Sequence, residues 1–137
     1  MDKHDVAFSF AGENRNFVET IKDTIIKSGY DVFYDNDFKV DLWGSDLTVT
    51  LPRHYLNSRF VVLMIDEYYL EKMWTFFERQ VIVENYLKLK GEDYLLPVRL
   101  NNFNENVPGI SSLIGYIDCL TSNSDYLIDL LLKKLKT

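Results

Sequence analysis

The feature that most constrains the fold of this chain is an alternation of short apolar runs with segments whose apolar residues recur at helical spacing. The predicted strands are Val6 to Phe10, Asp31 to Tyr34, Phe60 to Ile65, Tyr94 to Val98 and Tyr116 to Leu120. Strands that alternate with helices form a parallel sheet with helices on both faces. Five strands in this order most often adopt the flavodoxin-like arrangement 2-1-3-4-5, so we predict an α/β fold of that kind.

Segments with helical spacing occupy the intervals between these strands. The first helix is predicted to have a cap at Asn16 and a stop at Gly29, and the second is predicted to be capped at Ser45 and kinked or divided at Pro52. A long helix is predicted from about Trp74 to Lys90, ended by Gly91, and a final helix is predicted to start at Ser124. Between the second strand and the second helix, the acidic segment from Asp35 to Gly44 is predicted to be a loop.

Composition limits the classes of function. A chain of 137 residues that is 47% hydrophobic and 26% charged is predicted to form one globular domain, residues 1–137. Its net charge of −6 argues against a surface that neutralises nucleic-acid phosphates. One cysteine excludes an intrachain disulfide. His4 and His54, far apart in the sequence, argue against a histidine metal cluster, so no metal site is predicted.

No segment has the character of a targeting or membrane signal. The N-terminus lacks an apolar stretch followed by a small-residue cleavage site, and the longest apolar run, Phe60 to Ile65, has six residues. We therefore expect a cytoplasmic domain with no membrane or nucleic-acid partner. A sensor or effector domain could follow Thr137.

The predicted sheet order indicates where a ligand-binding crevice should lie. In such sheets, ligands bind beyond the carboxyl ends of the strands where the order reverses, here between the first and third strands. The residues predicted at that point are Phe10, Ala11, Gly12, Asp66 and Glu67, and the loop from Asp35 borders it. Neither GxxxxGKS/T nor GxGxxG occurs, so both common phosphate-binding loops are missing.

Two pairs of residues near this crevice each have more than one interpretation. Phe38 and Trp43 on the acidic loop could stack on a ligand or contact a protein, and Trp43 could equally fold back as a lid on the core. Trp74 and Glu78 lie four residues apart and share a helix face. From spacing alone, an ordinary surface carboxylate is the favoured interpretation of Glu78.

With these residues placed, the chain resembles a bacterial TIR (Toll/interleukin-1 receptor) domain over nearly its whole length. The resemblance is carried by DVAFSFAGE at 5–13, DVFYD at 31–35, LWGSDL at 42–47, YLEKMWTFFE at 69–78 and YLLPVR at 94–99. The first, third and fourth of these segments are the specific ones. The family's fold is the flavodoxin-like one predicted above.

The resemblance implies one of two functions: many bacterial TIR domains cleave the nicotinamide–ribose bond of NAD⁺ to give ADP-ribose or a cyclic product, whereas others are scaffolds that signal through TIR–TIR contacts. The enzymatic members carry a glutamate four residues after a tryptophan, which corresponds to Glu78 after Trp74. The family's BB loop, which covers the pocket and mediates assembly, corresponds to Asp35 to Ser45. With Glu78 as the catalytic residue, the implied substrate-binding residues are Phe10, Ala11, Gly12, Asp35, Phe38, Trp43, Ser45 and Trp74.

The implied chemistry needs NAD⁺ as substrate and no separate cofactor. Nicotinamide leaves as a neutral molecule, so one ionised carboxylate that stabilises an oxocarbenium-like ribose is sufficient. The sequence departs from the family pattern at two places. Ala11 and Gly12 stand where a familiar animal enzyme has basic residues, which argues against a phosphate clamp at that turn. Ser45 replaces a lysine that is frequent in bacterial relatives, which is expected to alter loop contacts or assembly.

The resemblance also implies a homo-oligomer, because catalysis in this family usually requires TIR–TIR contacts, and it implies a role in antiphage defence. Two other hypotheses stand beside it. In the first, the chain is a non-catalytic TIR–TIR scaffold and Glu78 is structural. In the second, it is a nucleoside-processing glycosidase of similar topology, which would prefer simple nucleotides to NAD⁺.

Overall fold

The fold is built on a parallel sheet, seen in a computed structural model that describes residues 4–74, 94–105, 107 and 115–137, with the backbone alone at positions 38, 41, 48, 52, 73 and 74. Within these ranges the strands are β1 (His4–Ser9), β2 (Val32–Phe33), β3 (Ser58–Ile65), β4 (Leu95–Leu100) and β5 (Ile117–Cys119). Their order across the sheet is β2-β1-β3-β4-β5, which confirms the predicted topology.

Strand β3 lies at the centre of the sheet, hydrogen-bonded to β1 on one side and to β4 on the other. Every residue of β3 except Arg59 is buried, as its continuous apolar sequence predicts. Because alternate side chains of a strand point to opposite faces, Val62 and Met64 belong to one core cluster, whereas Val61 and Leu63 belong to the other.

Helices cover both faces of this sheet. The described ones are α1 (Arg15–Lys27), α2 (Lys39–Leu42), α3 (Leu47–Leu56), α4 (Glu67–Tyr69) and α5 (Ser124–Leu135). Helices α1 and α5 pack together on one face, and Tyr55 of α3 and Tyr69 of α4 are buried on the other. None of the helices in the described ranges combines the length and the apolarity that crossing a bilayer requires.

The first helix begins earlier than its predicted cap. Helix α1 starts at Arg15, directly after a 3₁₀ turn at Gly12–Asn14, so Asn16 lies inside it. The predicted stop is confirmed, since the helix ends at Lys27 and Gly29 follows it with a φ of +96°. That left-handed conformation is open to glycine without a steric penalty.

The second helix is not divided at its proline. Helix α3 runs from Leu47 to Leu56 without interruption, so Pro52, which is predicted to kink or divide the helix, does not divide it. Tyr55 lies three residues further along the helix and is buried edge-on against Phe33, with ring centroids 5.7 Å apart. We infer that this packing outweighs the single backbone hydrogen bond that a proline removes.

The acidic loop is largely helical, which corrects a second prediction. A 3₁₀ turn at Asp35–Phe38 leads directly into α2. Ser45 closes this segment, because its hydroxyl donates to the carbonyl of Leu42 at 2.8 Å. Ser45 therefore does not cap α3, which starts two residues later.

The predicted long helix is described only at its beginning. Helical structure starts at Glu67 rather than at Trp74, because Asp66 caps α4, and a π-helical turn at Leu70–Trp74 continues from it. The predicted remainder, positions 75–90 with the stop at Gly91, lies outside the described residues.

The two histidines are in contact, although 50 positions separate them in the sequence. His4 Nε2 lies 3.1 Å from His54 Nδ1, and His4 Nδ1 lies 3.2 Å from the carboxylate of Asp31. Two residues that are far apart in the sequence are therefore neighbours in the fold. This cluster sits at the amino end of β1, opposite the predicted crevice. In the described part of the chain, no three His, Cys, Asp or Glu side chains are arranged to hold a metal ion.

Candidate active site

The candidate site lies where β1 and β3 end, which is the point at which the strand order reverses. The chain leaves β1 through Phe10 and the 3₁₀ turn, and it leaves β3 through Asp66 and α4. None of the described residues has an atom within 4 Å of where a Cβ atom on Gly12 would be, so they leave space in front of this turn. A ligand could therefore approach the backbone there.

A buried hydrogen bond joins the two sides of this crevice. Asn14 Nδ2 donates to Asp66 Oδ2 at 2.7 Å, and both side chains are buried. The other oxygen of the Asp66 carboxylate accepts the backbone N–H of Tyr69 at 2.9 Å and so caps α4. Asp66 thus fixes the turn after β1 against the start of the helix after β3.

A second buried contact supports the crevice from below. The hydroxyls of Ser9, at the end of β1, and Tyr69, in α4, are 2.8 Å apart, and both residues are fully buried. Burial raises the pKa of Tyr69 far above its ordinary value, so this hydroxyl stays protonated at neutral pH. The contact is therefore a neutral hydrogen bond, and it holds α4 against the end of β1.

An arginine organises the side of the crevice nearest β2. The rings of Phe10 and Tyr34 stack with their centroids 5.7 Å apart, and the Arg15 guanidinium lies over both rings. The same guanidinium donates to both carboxylate oxygens of Asp35, at 3.1 and 3.2 Å. The hydrogen bond to Asp35 raises the pKa of Arg15, so the guanidinium keeps its positive charge.

Helix α1 also holds the next part of the acidic segment. Lys22 Nζ lies 3.3 Å from Asp37 and 2.9 Å from Asp23, and the Lys22 side chain is almost fully buried. Its ammonium also sits over the Tyr34 ring. Two cations of α1, Arg15 and Lys22, therefore anchor the first turn of the segment.

Beyond this anchored turn, the segment presents apolar side chains to solvent. Trp43 is 87% exposed and Val40 is 83% exposed. They border an open concavity of about 590 Å³, which is lined by Asp35, Asn36, Lys39, Val40, Leu42, Trp43 and Leu47. The alternative in which Trp43 forms a lid on the core is therefore wrong.

An exposed ion pair spans the mouth of the crevice. Lys72, on the π-helical turn, donates to the carboxylate of Glu13, on the turn after β1. Their hydrogen bond lowers the pKa of Glu13 and raises that of Lys72, so both groups are charged at neutral pH. Glu13 also lines a concavity of about 380 Å³, together with Asn14, Asn16, Phe17, Thr20 and Thr121.

Comparison with known protein families identifies the chain. Residues 6–132 match the family model described as TIR domain. The chain is a TIR domain. Of the segments that carry the resemblance, 5–13 supplies the β1 end and the turn with Glu13, and 69–78 begins at Tyr69 and includes Lys72.

A curated relative of this TIR domain is the 3′ cyclic ADP-D-ribose synthase AaTIR of Aquimarina amphilecti. The two sequences are 37% identical over 135 residues, which is 98% of this chain and 40% of the relative. This TIR domain therefore spans less than half of that protein.

Solved structures of other TIR proteins share the fold. The TIR domain of the Toll-related receptor TRR-2 from Hydra magnipapillata superposes with a TM-score of 0.67 at 15% identity, covering 98% of this chain and 100% of that one. A metazoan TIR-STING receptor from C. gigas, in complex with 2′,3′-cGAMP, gives a TM-score of 0.66 at 19% identity, covering 99% of this chain and 40% of that one. At these identities, the likeness shows the fold alone.

The structure brings together only part of the residue set predicted for the TIR site. Phe10 and Asp35 both contact Arg15. In contrast, Ala11 is fully buried, and the Ser45 hydroxyl donates to the backbone carbonyl of Leu42. Glu78 and the side chains of Phe38 and Trp74 lie outside the described residues. Their predicted roles stay predictions.

Sequence reasoning missed several side chains that shape the site. These are Asn14, Arg15, Tyr69 and Lys72. Each of them bonds to a partner from another element, between 20 and 60 positions away. Spacing along the chain carries no signal for such pairs, although their positions beside two strand ends could have marked them as candidates.

Proposed function

We propose that this TIR domain cleaves the nicotinamide–ribose bond of NAD⁺ and forms a cyclic ADP-ribose or ADP-ribose. The observation that carries the proposal is its 37% identity, over 98% of the chain, to a protein named a 3′ cyclic ADP-D-ribose synthase. NAD⁺ is ADP-ribose joined to nicotinamide, so forming cyclic ADP-ribose from NAD⁺ requires the loss of nicotinamide. The chain spans 40% of that relative, and a fused sensor or effector domain is part of the proposal.

In the proposed reaction, the bond between the ribose C1 and the nicotinamide nitrogen breaks, and its electron pair leaves with nicotinamide. The departing ring becomes neutral, so no general acid is required. A hydroxyl oxygen then bonds to the ribose C1 and loses its proton. A ribose hydroxyl of the same molecule gives a cyclic product, and water gives ADP-ribose.

The assigned catalytic group is the carboxylate of Glu78, which would stabilise the oxocarbenium-like ribose and hydrogen-bond its hydroxyls. Trp74 would form a wall of the pocket, and Phe38 and Trp43 are the candidates to stack on nicotinamide or adenine. Phe10, which is also predicted to bind the substrate, is buried with its ring stacked on Tyr34. The hydrogen bonds of Asp66 support this assignment, because they anchor the helical start that leads to Trp74. Glu78 comes four positions after that tryptophan in the sequence.

The experiment that tests the proposal is incubation of the wild-type protein, at high concentration, with NAD⁺ and separately with simple nucleotides. Chromatography follows nicotinamide release and identifies the ribosyl product. Nicotinamide together with a cyclic or linear ADP-ribose supports the proposal. Base release from simple nucleotides, without cleavage of NAD⁺, would instead support the nucleoside-processing alternative.

We also propose that the TIR domain acts as a homo-oligomer and that Trp43 lies in the contact between copies. The support is an exposed Trp43 near an exposed Val40, beyond the anchored first turn of the acidic segment, since a large exposed apolar side chain is a typical interface anchor. Self-assembly would then activate the enzyme, in a bacterial antiphage role.

Replacing Trp43 by alanine is expected to raise the protein concentration needed for half-maximal specific activity by about tenfold or more, because interface tryptophans commonly contribute that much. The free energy of unfolding should change by less than about 0.5 kcal/mol, because the side chain is exposed. Activity against concentration and thermal melting measure the two effects.

The matched control for this prediction is Tyr126→Ala, which removes an exposed aromatic residue from α5. The control should leave the concentration dependence unchanged. An equal shift in both variants, or specific activity that is independent of concentration in the wild type, would contradict the role of Trp43.

The same exposed surface favours a second candidate function, a non-catalytic TIR–TIR scaffold. This candidate predicts wild-type protein that self-associates through Trp43 and releases no nicotinamide at any concentration. Measuring mass by light scattering on the samples used for the NAD⁺ assay separates the two functions.

A further inference from the structure

The proposed reaction assigns no role to the ion pair between Glu13 and Lys72, which lies at the crevice. The two residues come from different turns, one after β1 and one after α4, and their side chains meet across the mouth of the crevice. The backbone near each partner is fixed, because Asn14 and Tyr69 both bond to Asp66. The pair therefore closes a crevice whose two sides are already rigid.

Lys72 is held more loosely than Arg15 and Lys22, the two cations of α1 at the crevice. Arg15 makes two hydrogen bonds to Asp35 and lies over two rings, and Lys22 is buried between two carboxylates. The Lys72 side chain is 53% exposed, and that of its partner Glu13 is 33% exposed. Exposed ion pairs contribute little to stability, so this pair can separate without loss of the fold.

Space and polar partners lie beside this pair. Glu13 lines the concavity of about 380 Å³, whose wall also carries the amides of Asn14 and Asn16 and the hydroxyls of Thr20 and Thr121. Gly12 adds no side chain next to it, and no described residue has an atom within 4 Å of where its Cβ would be. An anionic group that enters this concavity meets hydrogen-bond donors beside the Glu13 carboxylate, to which Lys72 is bonded.

The net negative charge of the protein favours a cation at the binding site of an anionic substrate. The chain carries a formal charge of −6, and Glu13, Glu67 and Glu71 add negative charge near the crevice. Ala11 and Gly12 supply no cation from the turn after β1. A diphosphate would be repelled unless a positive side chain received it.

We propose that Lys72 binds the diphosphate of NAD⁺ and that the Glu13 carboxylate competes with the substrate for it. This inference rests on the proposed NAD⁺-cleaving function. In the free protein, the Glu13 carboxylate is hydrogen-bonded to the Lys72 ammonium. On binding, a phosphate oxygen takes the place of the carboxylate, and Glu13 moves aside. Because of this competition, Lys72 raises the affinity for the substrate, whereas Glu13 lowers it.

The test is a comparison of Lys72→Gln and Glu13→Gln in steady-state NAD⁺ cleavage. Lys72→Gln is expected to raise KM by about tenfold with little change in kcat, because one charge-assisted hydrogen bond to the substrate is lost. Glu13→Gln is expected to lower KM, by about threefold, because the competing charge is gone. The matched control is Lys133→Gln, which breaks an exposed ion pair with Asp129 on α5 and should leave KM unchanged.

The opposite signs distinguish a binding role from a structural one. If the ion pair only held the two turns together, both variants would lose it and both would change KM in the same direction. A shift of KM in the same direction for both variants, or no change in Lys72→Gln, overturns the proposal.

A binding measurement tests the role of Lys72 independently of whether the protein cleaves NAD⁺. Inorganic diphosphate, titrated into ¹⁵N-labelled protein, should shift the amide signals of the Lys72 turn in the wild type and about tenfold more weakly in Lys72→Gln. Wild-type protein that cleaves no NAD⁺ but binds diphosphate in this way would refute the proposed function alone. Diphosphate that binds both proteins equally, or neither, overturns the role of Lys72.

Discussion

Replacing Glu78 by glutamine is expected to reduce nicotinamide release from NAD⁺ by roughly 100-fold or more, because a neutral amide cannot stabilise the positive charge that develops on the ribose. Substrate affinity should change much less, since the ground-state ribose is uncharged. The loss should therefore appear in kcat, with KM nearly constant. Single-turnover assays at high protein concentration, with chromatographic detection of nicotinamide, measure it.

The matched control for this variant is Glu105→Gln, which makes the same chemical change at an exposed position. The control should retain full activity, and both variants should melt at the wild-type temperature. Equal nicotinamide release by Glu78→Gln and the wild type would show that another carboxylate stabilises the transition state. A fall in melting temperature for Glu78→Gln alone would favour the structural interpretation of this residue.

The topology of the sheet can be predicted from the sequence because it depends on patterns local to each segment. The continuous apolar run from Phe60 to Ile65 identifies the central strand, and Gly29 ends α1 through its own backbone preference. The sheet order then follows from the alternation of strands with helices. These features need no knowledge of which side chains meet.

The contacts within the site cannot be predicted in the same way. The role of Arg15 depends on Asp35, which reaches it only when β1 and β2 lie side by side, so spacing does not identify it. Ser45 is predicted to cap the wrong helix because a serine can bond forward or backward along the chain, and here it bonds back to Leu42. Tertiary placement decides such choices.

The acidic segment shows a further limit of prediction from sequence patterns. Its charges suit solvent and therefore predict a loop, yet backbone hydrogen bonds such as Trp43 N–H to Lys39 C=O make it helical. Charge indicates exposure rather than backbone conformation. The exposure of Trp43 follows, because a short helix anchored only at its first turn presents its far side to solvent.

Replacing Asp66 by alanine is expected to lower the free energy of unfolding by about 2–4 kcal/mol, because it removes a helix cap and leaves a buried asparagine amide without its acceptor. The carboxylate accepts from Asn14 at 2.7 Å and from the Tyr69 backbone at 2.9 Å, and it is buried. A loss of this size corresponds to a melting temperature lower by about 10 °C. Calorimetry and urea unfolding measure both quantities.

Two further variants separate the contributions of Asp66. Asn14→Ala keeps the helix cap and should cost less, about 1–2 kcal/mol, whereas Asp118→Ala, at an exposed position on β5, should cost less than about 0.5 kcal/mol. If Asp66→Ala were no more destabilising than Asp118→Ala, the link across the crevice would not hold the two sides together. If the link does hold them, Asp66→Ala should also reduce kcat, because the helical start that leads to Glu78 would lose its attachment to the turn after β1.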